Sequence, residues 1–371
     1  MFSRTAMLIV LPALILAACQ HGDKVVSRLE GKRDHAKAML VERVEAGEDI
    51  SPFLVRTDQA GLHFRNGEVA EGEAILDAVI VDLEVDRERF ANLIALSEFG
   101  APRRVTIEGY DDTGGAMEPF VSRDGKLLFF NSQQRGRMRP DLYYAERIDD
   151  LTFRYRGPVE GANSNTVDGA ASMDRSGRLY FISPRDYAKS LGTIRSAHFD
   201  GGAIDSPRLI AGDVSPGKPG WLNMDAEISA DGETLYYCRN EWNMENNLPK
   251  TSDIHVARLH DGQFETRADS AIIFDSVNTD DLEYAPALTA DERVLFFTRA
   301  RFKFDGGKLV LAQTGIMVAS RDSPDEPFGE PRRITTITGF VEGPTVSPDG
   351  GKIYFHRKDG EQFHLYMVTR H

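Results

Sequence analysis

Cysteine is scarce. Cys19 and Cys238 are the only two in 371 residues, which excludes a disulfide framework and a cysteine-rich metal site. Positive charge is also in deficit. Lys plus Arg number 44 against 58 Asp plus Glu, a formal charge of −14 that repels phosphate backbones and makes nucleic acid a poor partner. Tryptophan occurs only at Trp221 and Trp242. Long apolar runs are missing too: residues 6–16 form an apolar run of eleven broken by Pro12, well short of the ~20 a membrane-spanning helix needs. The signature motifs of common enzymes are absent: no Gly-x-Ser-x-Gly, no His-Glu-x-x-His and no phosphate loop, and the nine histidines do not pair at ligand spacing.

That short apolar run suits the core of a secretory signal, with Arg4 before it. It ends in Leu16-Ala17-Ala18-Cys19, which resembles the lipobox of bacterial lipoproteins. The resemblance implies cleavage before Cys19, lipidation of its thiol and stable anchoring by several acyl chains. Gln20 after the cysteine resembles an outer-membrane address. An ordinary signal peptide with a chance cysteine is the alternative. Cys238 sits in the apolar stretch Leu235-Tyr-Tyr-Cys238 and is expected to be a buried, inert thiol.

A repeat organises the remainder. Glu118-Pro-Phe-Val-Ser-Arg-Asp124-Gly-Lys-Leu-Leu-Phe-Phe130 returns around Asp174, Asp231, Asp291 and Asp349, at spacings of 50, 57, 60 and 58 residues. In each copy a short strand ends at Ser or Thr. An Asp-Gly type turn and an apolar-aromatic strand follow. The copy at Asp174 reads as carrying one inserted residue, and the copy at Asp291 lacks the glycine. A third strand follows in every copy and a fourth near Pro207 and Pro331, which makes one four-stranded propeller blade per repeat.

Pro344-Thr-Val-Ser-Pro-Asp-Gly350 is similar to the core of the TolB-like β-propeller repeat, and Pro119-Phe-Val-Ser-Arg-Asp-Gly125 is close to it. The resemblance covers residues 99–371 and implies an all-β propeller. The chain ends on a third strand. Phe99-Gly-Ala-Pro-Arg-Arg-Val-Thr-Ile107, a near copy of Phe328-Gly-Glu-Pro-Arg-Arg-Ile-Thr-Thr336, is expected to supply the missing fourth and close a ring of five blades. A six-bladed ring, with a degenerate blade at 52–98, is the alternative. The expected division is a signal at 1–19, a tether and N-terminal segment at 20–98 that is partly helical or a degenerate blade, and the propeller at 99–371. Periodicity leaves residues 71–83 open between strand and helix.

Each repeat carries an acid upstream of its first strand: Glu118, Asp168, Asp225, Glu283 and Glu342. First strands line a propeller's channel, so these acids either ring one mouth, where oxygen ligands could hold a cation such as calcium, or cap backbone amides between blades. Counted back from the Ser or Thr, they sit at four, four, four, six and five positions. No cofactor is otherwise expected. Second strands end in Asn131-Ser, Ile182-Ser, Cys238-Arg239, Thr298-Arg299 and His356-Arg357, and polar loops follow at 133–140, 184–191, 240–251 and 300–308. Arg239, Asn240, Trp242, Arg299, Arg301, His356 and Arg357 are the candidate ligand face: guanidinium groups for an anionic glycan or peptide carboxylate, with Trp242 as a stacking platform. Acidic loop neighbours (Glu241, Glu245, Asp359) offset the same charge equally well. The expected function is a periplasm-facing, lipid-anchored module that binds an envelope protein, peptide or glycan without chemistry. The alternative is a glycosidase or lyase using channel-facing carboxylates, among them Glu118, Asp225, Glu227 and Glu283.

Overall fold

The computed structural model describes residues 23–45, 51–96, 98–133, 139–215, 217–243, 248–305 and 308–371. Cys19 and the whole signal segment lie outside the described residues, as do Glu245, Asn246, Asn247 and the middle of the 133–140 loop.

Among the described residues of the N-terminal segment there are three helices, Asp23–Glu45, Ser51–Arg65 and Val69–Leu96. This corrects the six-bladed alternative, because the segment proposed as a degenerate blade is helical. Its buried apolar residues explain why. Ala60 and Phe64 lie four apart, and Leu76, Val79 and Leu83 lie three and four apart, which is one face of a helix and not the alternation of a strand. They pack on Leu29, Ala36, Met39 and Leu40 of the first helix. Lys32 joins two helices by pairing with Glu73 (2.6 Å) and Asp77 (2.6 Å). Among the described residues, no helix is long and apolar enough to cross a membrane.

Residues 98–371 form a five-bladed β-propeller. Blade 1 comprises Met117–Val121, Leu127–Ser132, Asp141–Arg147 and Thr152–Pro158, with Thr106–Glu108 added in parallel at its outer edge. Blade 2 has Gly169–Met173, Arg178–Ile182 and Ile194–Asp200, with two short strands, Ala203–Ile204 and Arg208–Leu209, both paired to the third. Blade 3 has Trp221–Ile228, Thr234–Asn243, Leu248–His260 and Gln263–Thr266. Blade 4 has Leu282–Leu288, Val294–Asp305, Lys308–Ser320 and Arg332–Arg333. Blade 5 takes Val341–Val346, Lys352–Asp359 and Gln362–Thr369 from the C-terminus and Arg103–Arg104 from the start of the propeller, with Arg103 opposite Met367 and Arg104 opposite Tyr366. The ring therefore closes as expected, and the N-terminal strand covers the edge that the last blade would otherwise expose.

Five buried apolar clusters fill the five spaces between neighbouring blades. The aromatic second strands supply them from both faces: Phe129 and Phe130 enter different clusters, as do Tyr180 and Phe181, Tyr236 and Tyr237, Phe296 and Phe297, and Tyr354 and Phe355, as the unbroken apolar stretches require. Phe99, 3% exposed, sits edge-on to Phe296 (6.1 Å) in the cluster between blades 4 and 5.

The repeated turn is a closed hydrogen-bond unit. In blade 1 the Ser122 hydroxyl donates to Asp124 Oδ1 (2.7 Å) and accepts from Leu127 N–H (2.9 Å), while Asp124 Oδ1 accepts from Lys126 N–H (3.1 Å). The same set recurs at Ser229/Asp231, Thr289/Asp291 and Ser347/Asp349. Blade 2 differs from the sequence expectation. Asp174 N–H bonds the Arg178 carbonyl (3.1 Å) where Ser122 N–H bonds Leu127 (2.9 Å), so Asp174 stands in the place of the serine, and the turn is one residue shorter. Its carboxylate accepts from Ser176 N–H and Arg178 N–H, doing the work of both residues of the other turns.

Candidate functional site

Every innermost strand carries a β-bulge at one equivalent place, and the bulged residue has positive φ in all five blades: Glu118 (47°), Ala170 (47°), Asp225 (52°), Ala285 (51°) and Gly343 (62°). This register sorts the five expected acids. Glu118 and Asp225 occupy the bulge itself, Glu342 lies one residue before it, and Asp168 and Glu283 lie two before. Once Asp174 is placed in the serine position, Asp168 and Glu283 share a register that counting from Ser172 concealed.

Asp168 and Glu283 do not join the channel ring. Both are fully buried in matching caps. Asp168 accepts from Ser164 N–H and Oγ (both 2.6 Å) and pairs with Arg185 (2.9 Å). Glu283 accepts from Thr279 N–H (2.9 Å) and Oγ1 (2.7 Å) and pairs with Arg299 (2.7 Å). Each fastens the loop entering its blade, so the capping interpretation holds for these two.

Glu118, Asp225 and Glu342 converge at the channel mouth, with His356 and Tyr284 among them. His356 comes from the second strand of blade 5, opposite Glu342. Its Nδ1 accepts the Glu118 backbone N–H (3.2 Å), which puts the ring proton on Nε2, facing Glu342 Oε2 (3.3 Å). The Glu118 carboxylate is 3.8 Å from the same ring. The Tyr284 hydroxyl donates to the other Glu342 oxygen. Gly343 makes room for this packing: a Cβ there would lie 2.7 Å from Glu118 Oε2 and 2.9 Å from His356 Nδ1. Asp225 accepts the Ala285 N–H (3.3 Å).

Burial dominates the electrostatics. It pushes the Glu118 carboxyl up to about 7; His356 works against this, and the Asp225 and Glu342 charges add to it. Asp225 is pushed up to about 6, again by burial first, with the Ala285 N–H opposing. Burial alone would lower His356, but Glu118 and Glu342 outweigh it and the ring is raised. Burial also pushes the Tyr284 hydroxyl well up. Two carboxyl groups are thus held well above the ordinary carboxylate range beside a histidine that can carry a proton.

The channel that Glu118 and Asp225 line with the other bulge residues is narrow, about 30 Å³, room for a water or two. Arg123 and Glu227 pair across it (2.8 Å) from blades 1 and 3, both nearly buried. Arg123 stands where Pro348 stands in the last repeat. Among the described residues no group of three or more His, Cys, Asp or Glu is arranged to hold a metal ion.

The expected ligand face is distributed over the blades. Arg299 is held by Glu283 and by the Val277 carbonyl (2.8 Å), and Arg301 by Asp281 (2.8 Å). Arg239 donates to the Tyr237 hydroxyl (2.8 Å), and Arg357 lies buried 3.9 Å over the Tyr366 ring. Asn240 is buried and bonds the Leu222 carbonyl (3.0 Å). Of the acidic loop neighbours, Glu241 pairs with Lys250 (3.0 Å), and Glu245 lies outside the described residues. Only His356 joins the carboxylates. Trp242 lines a separate hollow beside blade 3. The segments 240–251 and 300–308, expected as loops, largely continue as paired strands, with Asn243 opposite Leu248 and Asp305 opposite Lys308.

Tyr284 and Gly343 were not singled out from sequence. The signal was available in the prolines. Pro119, Pro286 and Pro344 are structurally equivalent, and counting back from them places Glu118, Ala285 and Gly343 together and Tyr284 level with Glu342.

No family model matches the sequence, and no curated protein matches it. Solved structures do share the fold. A glycoside hydrolase superposes with a TM-score of 0.51 at 12% identity, over 76% of this chain and 95% of that one. A thermostable family-43 glycoside hydrolase gives 0.46 at 13% identity, over 72% and 91%. TolB from Acinetobacter baumannii gives 0.38 at 14% identity, over 70% of this chain and 55% of that one. Likeness at such identity establishes the propeller fold and carries no chemistry.

Proposed function

We propose that the propeller is a carbohydrate-active enzyme whose acid–base machinery is the channel-mouth cluster. The observation that carries this reading is the convergence of Glu118, Asp225 and Glu342 on His356, with Glu118 held near neutrality. A carboxyl group with proton affinity near 7 is suited to protonate a leaving oxygen. Glu342, fixed by Tyr284 and His356, is the oriented acceptor. The fold shared with a glycoside hydrolase is compatible with this reading.

The test is release of nitrophenol from a panel of aryl glycosides by the full chain. Glu118→Gln and Glu342→Gln are each expected to lower turnover by ~10²-fold or more, the usual scale for an acid–base group. Both variants should keep the β-rich circular dichroism and cooperative unfolding of the parent. No turnover on any member of the panel, or turnover indifferent to both substitutions, would falsify the proposal.

A second reading rests on the Leu16-Ala17-Ala18-Cys19 motif: a lipid-anchored, periplasm-facing outer-membrane protein that binds an envelope partner without chemistry. Cys19→Ala is expected to move the protein from the membrane fraction to the soluble periplasm. Identical fractionation of the two forms removes the anchor.

A further inference from the structure

Outside the channel, Trp221 and Trp242 lie on adjacent paired strands of blade 3. Trp242 lines a hollow of about 530 Å³ on the side of blade 3, together with Tyr187, Pro219, Gly220, Glu241, Asn243 and Lys250. That volume lies within the ~300–1,000 Å³ of small-molecule sites, whereas the channel holds a water or two. Trp221 pairs with Glu241 across the strand ladder, and Trp242 N–H bonds the Gly220 carbonyl (2.8 Å).

The walls are pre-set. The Tyr187 hydroxyl donates to the Trp221 carbonyl (2.8 Å), which fixes its ring. Lys218 lies 5.0 Å over the Trp221 ring and occupies that face. The Trp242 indole N–H is buried, with no hydrogen-bond partner among the described residues, while the residue as a whole is half-buried. The accessible part of Trp242 is therefore apolar ring and not its polar end. An apolar ring face is what the C–H face of a pyranose stacks on.

The charges specify the ligand further. Glu241 and Lys250 pair with each other at 3.0 Å while both remain accessible, at 36% and 51%. The hollow thus offers adjacent acceptors and donors with no net charge. Two of the arginines that suggested an anionic ligand are engaged elsewhere, Arg299 by Glu283 and Arg301 by Asp281. From this we infer that the hollow is a binding subsite for a neutral sugar ring, stacked on Trp242 and hydrogen-bonded through its hydroxyls to Glu241 and Lys250.

This inference does not depend on catalysis at the channel, and its test is a binding measurement. Intrinsic tryptophan fluorescence of the full chain is titrated with cellobiose, xylobiose and mannobiose, and with digalacturonate as the charged control. At least one neutral disaccharide should give a saturable change. Digalacturonate should bind at least tenfold more weakly. Trp242→Ala should weaken neutral binding at least tenfold, read by calorimetry because the reporter is lost. Trp242→Phe, which keeps a ring, should recover part of it and guards against a folding defect in the alanine variant. Lys250→Ala should weaken binding several-fold. Glu118→Gln should leave binding unchanged even if it abolishes turnover. The inference is overturned if no neutral disaccharide saturates, if the charged one binds as tightly, or if Trp242→Ala binds like the parent.

Discussion

At the scale of the residue, the same two side-chain types do opposite work in this ring. Asp349 accepts from the Ser347 hydroxyl and Gly351 N–H, bonds to its charged form that hold its carboxyl down to about 2. Glu118 is desolvated and held up to about 7. The native state therefore binds more protons than the unfolded chain at Glu118 between its ordinary 4.5 and about 7, and fewer at Asp349 between its ordinary 3.8 and about 2. Stability from Glu118 is complete below about 4.5 and is lost as pH rises through about 7; stability from Asp349 is complete above about 3.8 and is lost as pH falls through about 2. Denaturant midpoints measured across pH should fall between about 5 and 7 in the parent, and Glu118→Gln should make that limb shallower, leaving the part that Asp225 and His356 contribute, without touching the acid limb. An unchanged slope in the variant would remove Glu118 as its source. Glu292 is a third case. The other four turns place glycine at positive φ, and Glu292 adopts 56° instead. Its carboxylate accepts from the Tyr236 hydroxyl of blade 3 (2.6 Å), and Arg321 donates to that same hydroxyl (2.6 Å). Glu292→Gly relieves the backbone but leaves a buried network incomplete. A net loss of about 1 kcal/mol is expected by urea unfolding, since a charged hydrogen bond outweighs the strain of one left-handed residue. A gain in stability would show the reverse.

At the scale of the element, the blade was legible because its strongest constraints are local. The Ser-x-Asp turn closes within five residues, and the aromatic second strand is apolar without interruption, so both recur as sequence. The bulge was not legible in the same way. It inserts a residue relative to the partner strand, as between Met224 and Glu227, and shifts what faces the channel by one position. Five carboxylates that look alike in sequence therefore separate into three at the mouth and two in loop caps. The bulge also explains the pairs that end the second strands. The first member of each pair lies opposite the residue before the bulge. In three blades its side chain receives the bulge N–H of the next blade: Asn131 from Ala170 (3.2 Å), Thr298 from Gly343 (3.1 Å) and His356 from Glu118 (3.2 Å). Thr298→Val keeps the volume and removes the acceptor, so it should cost ~1–3 kcal/mol for the stranded Gly343 N–H, measured by urea unfolding. A loss within error of zero would mean that the Gly343 N–H finds another acceptor.

At the scale of the whole molecule, the decisive contacts join the two ends of the propeller. The near-identity of residues 99–107 and 328–336 revealed the closing strand, because both are outermost strands and meet the same packing demands. The helices of 23–96 were harder to see, since their apolar positions share short windows with plausible strands and only the buried spacing separates the two. Closure is anchored by more than the two paired residues of the short strand. Phe99 fills the space between blades 4 and 5, Val105 N–H bonds the Leu365 carbonyl (2.8 Å), and Glu98 pairs with both Arg370 (2.7 Å) and Arg332 (3.1 Å). Phe99→Ala should therefore cost ~3–5 kcal/mol, the usual loss for a buried phenylalanine. Truncation asks the larger question. A chain beginning at Glu98 keeps every one of these contacts and should unfold cooperatively, with the β-rich circular dichroism of the ring. A chain beginning at residue 111 loses Phe99, Val105 and the paired arginines together, and leaves the edge of Gln362–Thr369 open to other strands. It should melt far lower or aggregate. Equal melting of the two truncations would mean that the C-terminal blade holds without its clasp, and the ring would then be closed by packing between blades alone.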